Sequence, residues 1–193
     1  MVLIAFPVCA QQNAFDKLKS NFEQGKIFSA DFSHEYVDSY TGDSVASSGQ
    51  IWVGENKYKV EAQNQLVVVD GQTSKVYDDS RNRVIISTYE PAEDDFAPSR
   101  ILNGADSTYT IENQQRKNGE VIITLVSEDP FSVFQEVVIT LDKQLIPLRI
   151  FALDQADNEI TTTFRNGSFI DPRPGMFELA YPQDAEIVDM RNN

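Results

Sequence analysis

Apolar and polar residues alternate with a period of two through most of this chain, which is the pattern of β-strands. In residues 28–36 the even-numbered positions are Phe, Ala, Phe, His and Tyr, and the odd-numbered positions are all polar. In residues 50–77, four short apolar or alternating runs follow one another with only turn residues between them. Strands so close in sequence pair as antiparallel neighbours. The pattern therefore predicts one large antiparallel sheet.

One amphipathic helix is predicted before the first strand, over residues 13–24. Phe15, Leu18 and Phe22 recur there at helical spacing, and Gly25 follows as a stop signal. The helix would bury its apolar side against the sheet.

The second half of the chain continues the strand pattern. Asn-Gly turns are predicted at 118–119 and 166–167, and short closing segments at 176–179 and 187–188. The whole chain then holds about eleven strands, with no internal repeat and no linker that would divide it.

One segment interrupts the strands between the two halves. Residues 90–98 hold two prolines and four acidic residues, which an interior strand would not accept. Residues 96–103 are predicted to form a short helix or lid over one end of the sheet, with Ile101 and Leu102 among its apolar residues.

A twisted sheet of about eleven strands curls towards a barrel, and a wide barrel leaves space inside for a ligand. Most apolar strand faces are simply core, so the pattern alone favours a filled interior between sheet and helix over an open cavity. If the curl does enclose a cavity, we expect the apolar strand residues to line it. The candidates are Phe32, Tyr36, Trp52, Ile86, Val138, Phe151, Leu153 and Phe164.

Composition supports one acidic globular domain over residues 11–193. The chain has 193 residues, 41% of them hydrophobic, and 30 Asp and Glu against 16 Lys and Arg, for a net charge of −14. This charge argues against nucleic acid and against anionic membrane surfaces as partners.

The first ten residues are uncharged and too short to span a bilayer. Val8-Cys9-Ala10 fits a signal-peptidase site, so we expect residues 1–10 to be the remnant of a signal peptide that is cleaved near Ala10. Lipidation of Cys9 is the alternative, although Phe6-Pro7-Val8 matches a lipoprotein signal poorly. Cleavage after Ala10 would remove the only cysteine.

The residues for common catalytic sites are missing from the pattern. His34 is the only histidine and lies among apolar neighbours, which favours a structural role. Asp154, Asp157 and Glu159 lack the spacing of a calcium loop and are interpreted as a solvated turn. We therefore expect no catalytic residues, no metal and no cofactor, with a hydrolase that uses paired carboxylates as the alternative.

Five short motifs occur in an order that resembles the LolA-like family of periplasmic outer-membrane lipoprotein carriers. The resemblance runs from about residue 15 to residue 188. Its motifs are Phe28-Ser-Ala-Asp-Phe32; Gly49-Gln-Ile-Trp-Val53 followed by Asn56-Lys-Tyr-Lys59; Val69-Asp-Gly71 with Tyr77-Asp78; Asp154 to Asn166; and Phe177-x-Leu179-x-x-Pro182.

The clearest departure lies after the second strand, where the family has Arg-Pro and this chain has Glu55-Asn56. In the family that arginine bonds to the lid and helps to hold the empty cavity shut. The latch is therefore in doubt here.

The resemblance implies an unclosed barrel of about eleven strands, capped by helices, around an apolar cavity. It also implies a monomeric periplasmic chaperone, not an enzyme, that binds the acyl chains of lipoproteins. Such a carrier would receive acylated lipoproteins from an inner-membrane exporter complex and deliver them to an outer-membrane acceptor. Two alternatives share the fold: a membrane-anchored acceptor and a lipid-binding sensor or regulatory module. With the lid and the second hairpin included, the expected lining adds Tyr58, Val60, Ile101 and Leu102.

Overall fold

The computed structural model describes residues 13–90, 101–102 and 109–191. In these ranges the chain forms helix α1, a short helical stretch at 101–102, twelve β-strands and a 3-10 turn at Asp79–Arg81. The elements in order are α1 Ala14–Glu23, β1 Ile27–Val37, β2 Ser44–Val53, β3 Tyr58–Ala62, β4 Gln65–Val69, β5 Thr73–Asp78, β6 Arg83–Thr88, β7 Tyr109–Lys117, β8 Glu120–Ser127, β9 Phe134–Leu141, β10 Pro147–Asp154, β11 Glu159–Ile170 and β12 Glu186–Asp189.

All twelve strands belong to one open sheet. Their order is β12-β6-β5-β4-β3-β2-β1-β11-β10-β9-β8-β7, so β7 and β12 are edges that do not meet. The predicted mainly β, unclosed sheet is confirmed. Two details differ: there are twelve described strands instead of eleven, and β12 runs parallel to β6 whereas every other pairing is antiparallel.

The Asn-Gly sequences at 118–119 and 166–167 have different structures. Asn118-Gly119 forms the predicted hairpin turn between β7 and β8, and both residues have positive φ. The prediction of a turn at Asn166-Gly167 is wrong, because β11 continues through it with a bulge. Asn166 has a φ of 54° and its side chain donates a hydrogen bond to Asp31 Oδ2 at 2.7 Å, which anchors the bulge to β1.

The predicted helix is confirmed as α1, which packs on one face of the sheet. Asn13 caps it by accepting a hydrogen bond from the Asp16 N–H at 2.7 Å. The first residue of α1 also contacts the edge strand β7, where Gln114 Oε1 accepts a hydrogen bond from the Ala14 N–H at 2.8 Å. Leu18 and Phe22 are fully buried. We call the face beneath α1 the inner face and the opposite side the outer face.

The C-terminal segment crosses part of the outer face. Val68, Tyr77 and Val84 point away from α1 and are nevertheless buried. Ala180 lies beside Tyr77, and Lys57 Nζ lies 4.9 Å from the ring centroid of Phe177. The predicted closing segment at 176–179 is thus a covering loop and not a strand.

Most of the predicted lid lies outside the described residues, as does the expected signal peptide. Ile101 and Leu102 are described and have helical backbone. Leu102 is fully buried in the core and Ile101 packs against it.

Gly49 on β2 allows the strands to approach closely, because a Cβ there would overlap the Glu61 carbonyl oxygen of β3. We expect Gly49→Ala to destabilise the fold by about 3 kcal/mol or more, since backbone atoms must move. Urea unfolding measures the change. The control is Ser48→Ala at the neighbouring position, which should stay within about 0.5 kcal/mol. Equal stability of the two variants would contradict the close approach.

Candidate functional site

Strand pairing assigns each side chain to a face, because residues directly opposite each other on neighbouring strands share one. Phe28, Ala30 and Phe32 are buried on the α1 side of β1 and mark the inner face. From Ala30 the pairings connect one aliphatic residue on each strand from β1 to β6. This apolar row consists of Ala30, Ile51, Val60, Val67, Val76 and Ile85.

Exposure increases along the apolar row. Ile51 is 0% exposed and Val60 is 8% exposed, whereas Val67, Val76 and Ile85 are half-buried. The row therefore begins in the packed core and ends as accessible aliphatic surface towards β6.

The other half of the inner face is a filled core. Phe28 packs edge-on against Phe164 with ring centroids 5.2 Å apart, and Phe22 of α1 packs edge-on against Phe169 at 5.4 Å. On the adjoining strands Ile123, Ile139 and Ile150 are buried. The helix thus covers β1 and the neighbouring strands β11, β10, β9 and β8, and it leaves β4, β5 and β6 more accessible.

Seven of the predicted lining residues lie on the inner side. Phe32, Tyr36, Tyr58, Val60 and Phe164 share the inner face of the sheet, and Ile101 and Leu102 pack against the same core. Five of these seven are almost completely buried here: Phe32, Tyr58, Val60, Leu102 and Phe164. Whether they contact a ligand stays a prediction.

Five other predicted residues lie on the outer face, so they cannot share one lining with Phe32. Apolar runs such as Ile51-Trp52-Val53 hide the alternation, and the largest side chain of such a run is not always the inward one. Trp52 pairs with Lys59, whose Nζ lies 5.2 Å from the indole centroid. The five outward residues are Trp52, Ile86, Val138, Phe151 and Leu153.

Sequence reasoning missed the inward members of these runs. The predicted lining does not include Val67, Val76 and Ile85, although each lies on the inner face in line with Val60. Assigning every second residue from Phe28 to the inner face, and carrying that assignment across each hairpin, identifies all three residues. This works because the hairpin registers are regular from β2 to β6.

His34 lies on the inner face near the end of β1. Its Nδ1 lies within hydrogen-bond distance, 2.9 Å, of Thr162 Oγ1. Burial lowers the pKa of His34 below its ordinary value of 6.5, so the imidazole is neutral at pH 7.

The carboxylates singled out in the sequence hold turns together. Asp154 accepts hydrogen bonds from the Ala156 N–H, the Asn158 N–H and the Asn158 side chain at 2.7–2.9 Å. Asp78 caps the 3-10 turn that follows β5. Across residues 13–90, 101–102 and 109–191, no group of three His, Cys, Asp or Glu side chains is arranged to hold a metal ion.

One cleft formed by described residues is lined mainly by polar side chains. It has a volume of about 420 Å³ and runs along β1, β2 and β11, and most of its lining is serine, threonine and glutamate, including Ser33, Glu35 and Thr163. Its side chains offer hydrogen bonds and come mainly from the outer face, on the side of the sheet opposite Phe32. The accessible end of the apolar row is therefore the better candidate for an apolar ligand.

The family model of the outer membrane lipoprotein carrier protein LolA matches residues 23–180, which include every strand from β1 to β11. This chain belongs to the LolA family. No curated protein matches the chain.

Solved structures are similar to this chain at low sequence identity, and the first shares its fold. An uncharacterised conserved protein from Thermus thermophilus is 14% identical with a TM-score of 0.59, over 92% of this chain and 99% of that chain. A LolA superfamily protein from Nitrosomonas europaea is 11% identical with a TM-score of 0.47, over 87% and 97% of the two chains. A putative outer membrane lipoprotein-sorting protein domain from Vibrio parahaemolyticus is 12% identical with a TM-score of 0.45, over 86% and 94%.

The family's Arg-Pro position is occupied by a tight turn in this member. The Gly54 N–H donates to the Lys57 carbonyl at 2.8 Å, so Glu55 and Asn56 form the tip of the β2–β3 connection. Both side chains are exposed. Asn56 also packs against Gly71 of the β4–β5 turn, where a Cβ would lie 3.2 Å from the Asn56 carbonyl oxygen.

Within the described part of the chain, no helix has both the length and the apolar character that a membrane crossing requires.

His34 predicts a specific pH dependence of stability. Its pKa is lowered in the fold, so below about pH 6.5 the unfolded state binds more protons, and the free energy of unfolding falls as the pH drops towards the folded pKa. Urea unfolding between about pH 7.5 and 5.5 should show this decline in the native protein. In His34→Gln the decline should be smaller, because the titrating group is gone. An unchanged pH dependence would show that His34 is not responsible.

Proposed function

We propose that this protein binds the acyl chains of lipoproteins on the inner face of its sheet and carries them through the periplasm from the inner to the outer membrane. Membership of the LolA family, whose model is described as an outer membrane lipoprotein carrier, supports the proposal. The observation that carries it is the apolar row, which leads from the core to accessible surface.

The dimensions of the apolar row suit an acyl chain. Neighbouring strands lie about 4.8 Å apart, so the five intervals from Ala30 to Ile85 span about 24 Å. An acyl chain in a membrane spans half of a hydrocarbon core of about 30 Å. The row as a whole is therefore longer than one extended chain, and its half-buried part from Val67 to Ile85 covers about 10 Å of such a chain.

The chemistry of the row supports binding without reaction. All six of its side chains are aliphatic, and each CH₂ group that an acyl chain buries contributes roughly 0.8 kcal/mol. A carrier must also release its cargo. An acyl chain that leaves the half-buried surface from Val67 to Ile85 loses less apolar contact than one that leaves a closed pocket.

The proposed lining is tested by placing a charge on each face in turn. Val76→Glu puts a carboxylate into the apolar row, and Val138→Glu puts the same change at a half-buried position on the outer face. We expect V76E to weaken binding of a fluorescent triacylated lipopeptide by on the order of thirtyfold, because a charge must be desolvated or the chain must retreat. V138E should bind within about threefold of the native protein.

Circular dichroism spectra and melting curves show whether both variants are folded. Equal affinity of folded V76E and native protein, or a loss confined to V138E, would contradict the proposed lining.

The carrier role makes a separate prediction in the source bacterium. Depletion of the protein should shift outer-membrane lipoproteins to the inner-membrane fraction, and expression of V138E but not of V76E should restore their distribution. The measurement is the lipoprotein content of the separated membranes. If depletion leaves the distribution unchanged while the purified protein binds lipopeptide, the protein is a lipid sensor and not a carrier.

A further inference from the structure

Two aromatic side chains project almost completely into solvent at one end of the sheet. Tyr40, in the β1–β2 loop, is 95% exposed, and Phe131, in the β8–β9 loop, is 92% exposed. Aromatic side chains carry large apolar area, and exposed apolar side chains that share one continuous surface mark contact sites.

Hydrogen bonds tie both loops to the β10–β11 loop between them. Ser39 donates its backbone N–H to Asn158 Oδ1 at 2.9 Å and its hydroxyl to the Ala156 carbonyl at 2.8 Å. From the other side, Gln155 Nε2 donates to the Ser132 carbonyl at 3.1 Å. Ser39 and Ser132 are the chain neighbours of the two exposed rings. The rings therefore belong to one continuous surface.

The backbone beneath each ring is held in place. Asp38 Oδ1 accepts hydrogen bonds from the Tyr40 and Thr41 N–H groups at 2.9 and 2.7 Å. Asp129 Oδ1 accepts from the Phe131 N–H at 2.9 Å. The loops are thus arranged in advance, and a partner would lose less entropy in ordering them.

The same surface is strongly acidic. Each of the three loops contributes two carboxylates and none contributes a lysine or an arginine. The acidic rim consists of residues 38–43, 128–133 and 154–158, and its carboxylates are Asp38, Asp43, Glu128, Asp129, Asp154 and Asp157. Hydrogen bonds from the Thr41 backbone hold the pKa of Asp38 below its ordinary value, so this carboxylate is charged at neutral pH.

We propose that the acidic rim is a docking surface for a protein partner whose contact face carries lysine and arginine side chains around apolar pockets for Tyr40 and Phe131. Charge complementarity selects this occupant. An anionic membrane would be repelled by the carboxylates, and a second copy of the chain would meet its own acidic rim. The inference depends on the rim alone and does not depend on the proposed cargo.

The rim also adjoins the inner face. Tyr36 and Val45 pair at the end of the β1–β2 hairpin, just below the Tyr40 loop, and Val45 is exposed on the inner side. A docked partner would therefore lie next to the inner-face residues at this end of the β1–β2 hairpin.

The test begins with the full chain in its own cells. A photoreactive benzoylphenylalanine replaces Tyr40 or, separately, Phe131, and replaces Tyr181 of the C-terminal segment as the control, which is also an exposed aromatic residue. We expect positions 40 and 131 to yield the same protein adduct on irradiation, and position 181 not to yield it.

The adduct's protein is then purified and its affinity for the native chain is measured in solution at increasing salt. A double variant, Asp43→Lys with Glu128→Lys, reverses the charge of two rim carboxylates. Neither side chain accepts any of the rim hydrogen bonds described above. The matched control, Glu23→Lys with Glu120→Lys, makes the same change in net charge at exposed sites away from the rim. We expect the rim variant to slow association about tenfold and to flatten its salt dependence, and the control to stay within about twofold.

Removing the two rings with Tyr40→Ser and Phe131→Ser should raise the Kd on the order of thirtyfold. The proposal is overturned by adducts with lipid or with the chain itself, by no discrete adduct, or by equal effects of the two charge variants. Flotation with vesicles of phosphatidylethanolamine and phosphatidylglycerol should leave the protein unbound, and tyrosine- and phenylalanine-dependent flotation would assign the rim to membranes instead.

Discussion

The structure depends above all on the register of β1 with its two neighbours. β1 lies in the middle of the sheet and pairs along most of its length with β2 and with β11. Because side chains alternate between faces, a slip by one residue would turn Phe28 and Phe32 outward and bring Ser29 and Asp31 under α1. The bulge at Asn166, which bonds to Asp31, holds the register of β1 with β11 in place. The close approach at Gly49 fixes β2 against β3 on the other side of β1.

From that register follows a division of the inner face into two regions. On the β11 to β8 side, α1 and perpendicular phenylalanine rings fill the space, which provides the stable core. On the β4 to β6 side, aliphatic side chains continue in line but are only half-buried. The same sheet thus combines a permanent core with an apolar wall that a ligand can reach. The acidic rim lies at the end of the central strands, so contact with a partner and contact with a ligand use different parts of one sheet.

The sequence predicted the fold well where local chemistry decides it, and the site less well where pairing decides it. Asn118-Gly119 joins two alternating runs and forms a hairpin as predicted, whereas Asn166-Gly167 has the same letters and forms a bulge because β1 continues beside it. The parallel β12 pairs with a strand about one hundred residues earlier, and no local pattern indicates such a partner. Phe151 and Val138 were assigned to the lining for their size and apolarity, but their runs are apolar on both faces. Only the partner strands, with Ile150 and Ile139 turned inward, decide which residue faces α1.

The proposed carrier role requires that acyl chains lie along the apolar row on the inner face. The most direct measurement uses a triacylated lipopeptide with a photoreactive diazirine in one acyl chain, bound to the native protein, irradiated and mapped by mass spectrometry of the digested chain. We expect labels on Val67, Val76 and Ile85 and their inner-face neighbours. Labels concentrated on outer-face residues such as Trp52 and Phe151 would contradict this expectation.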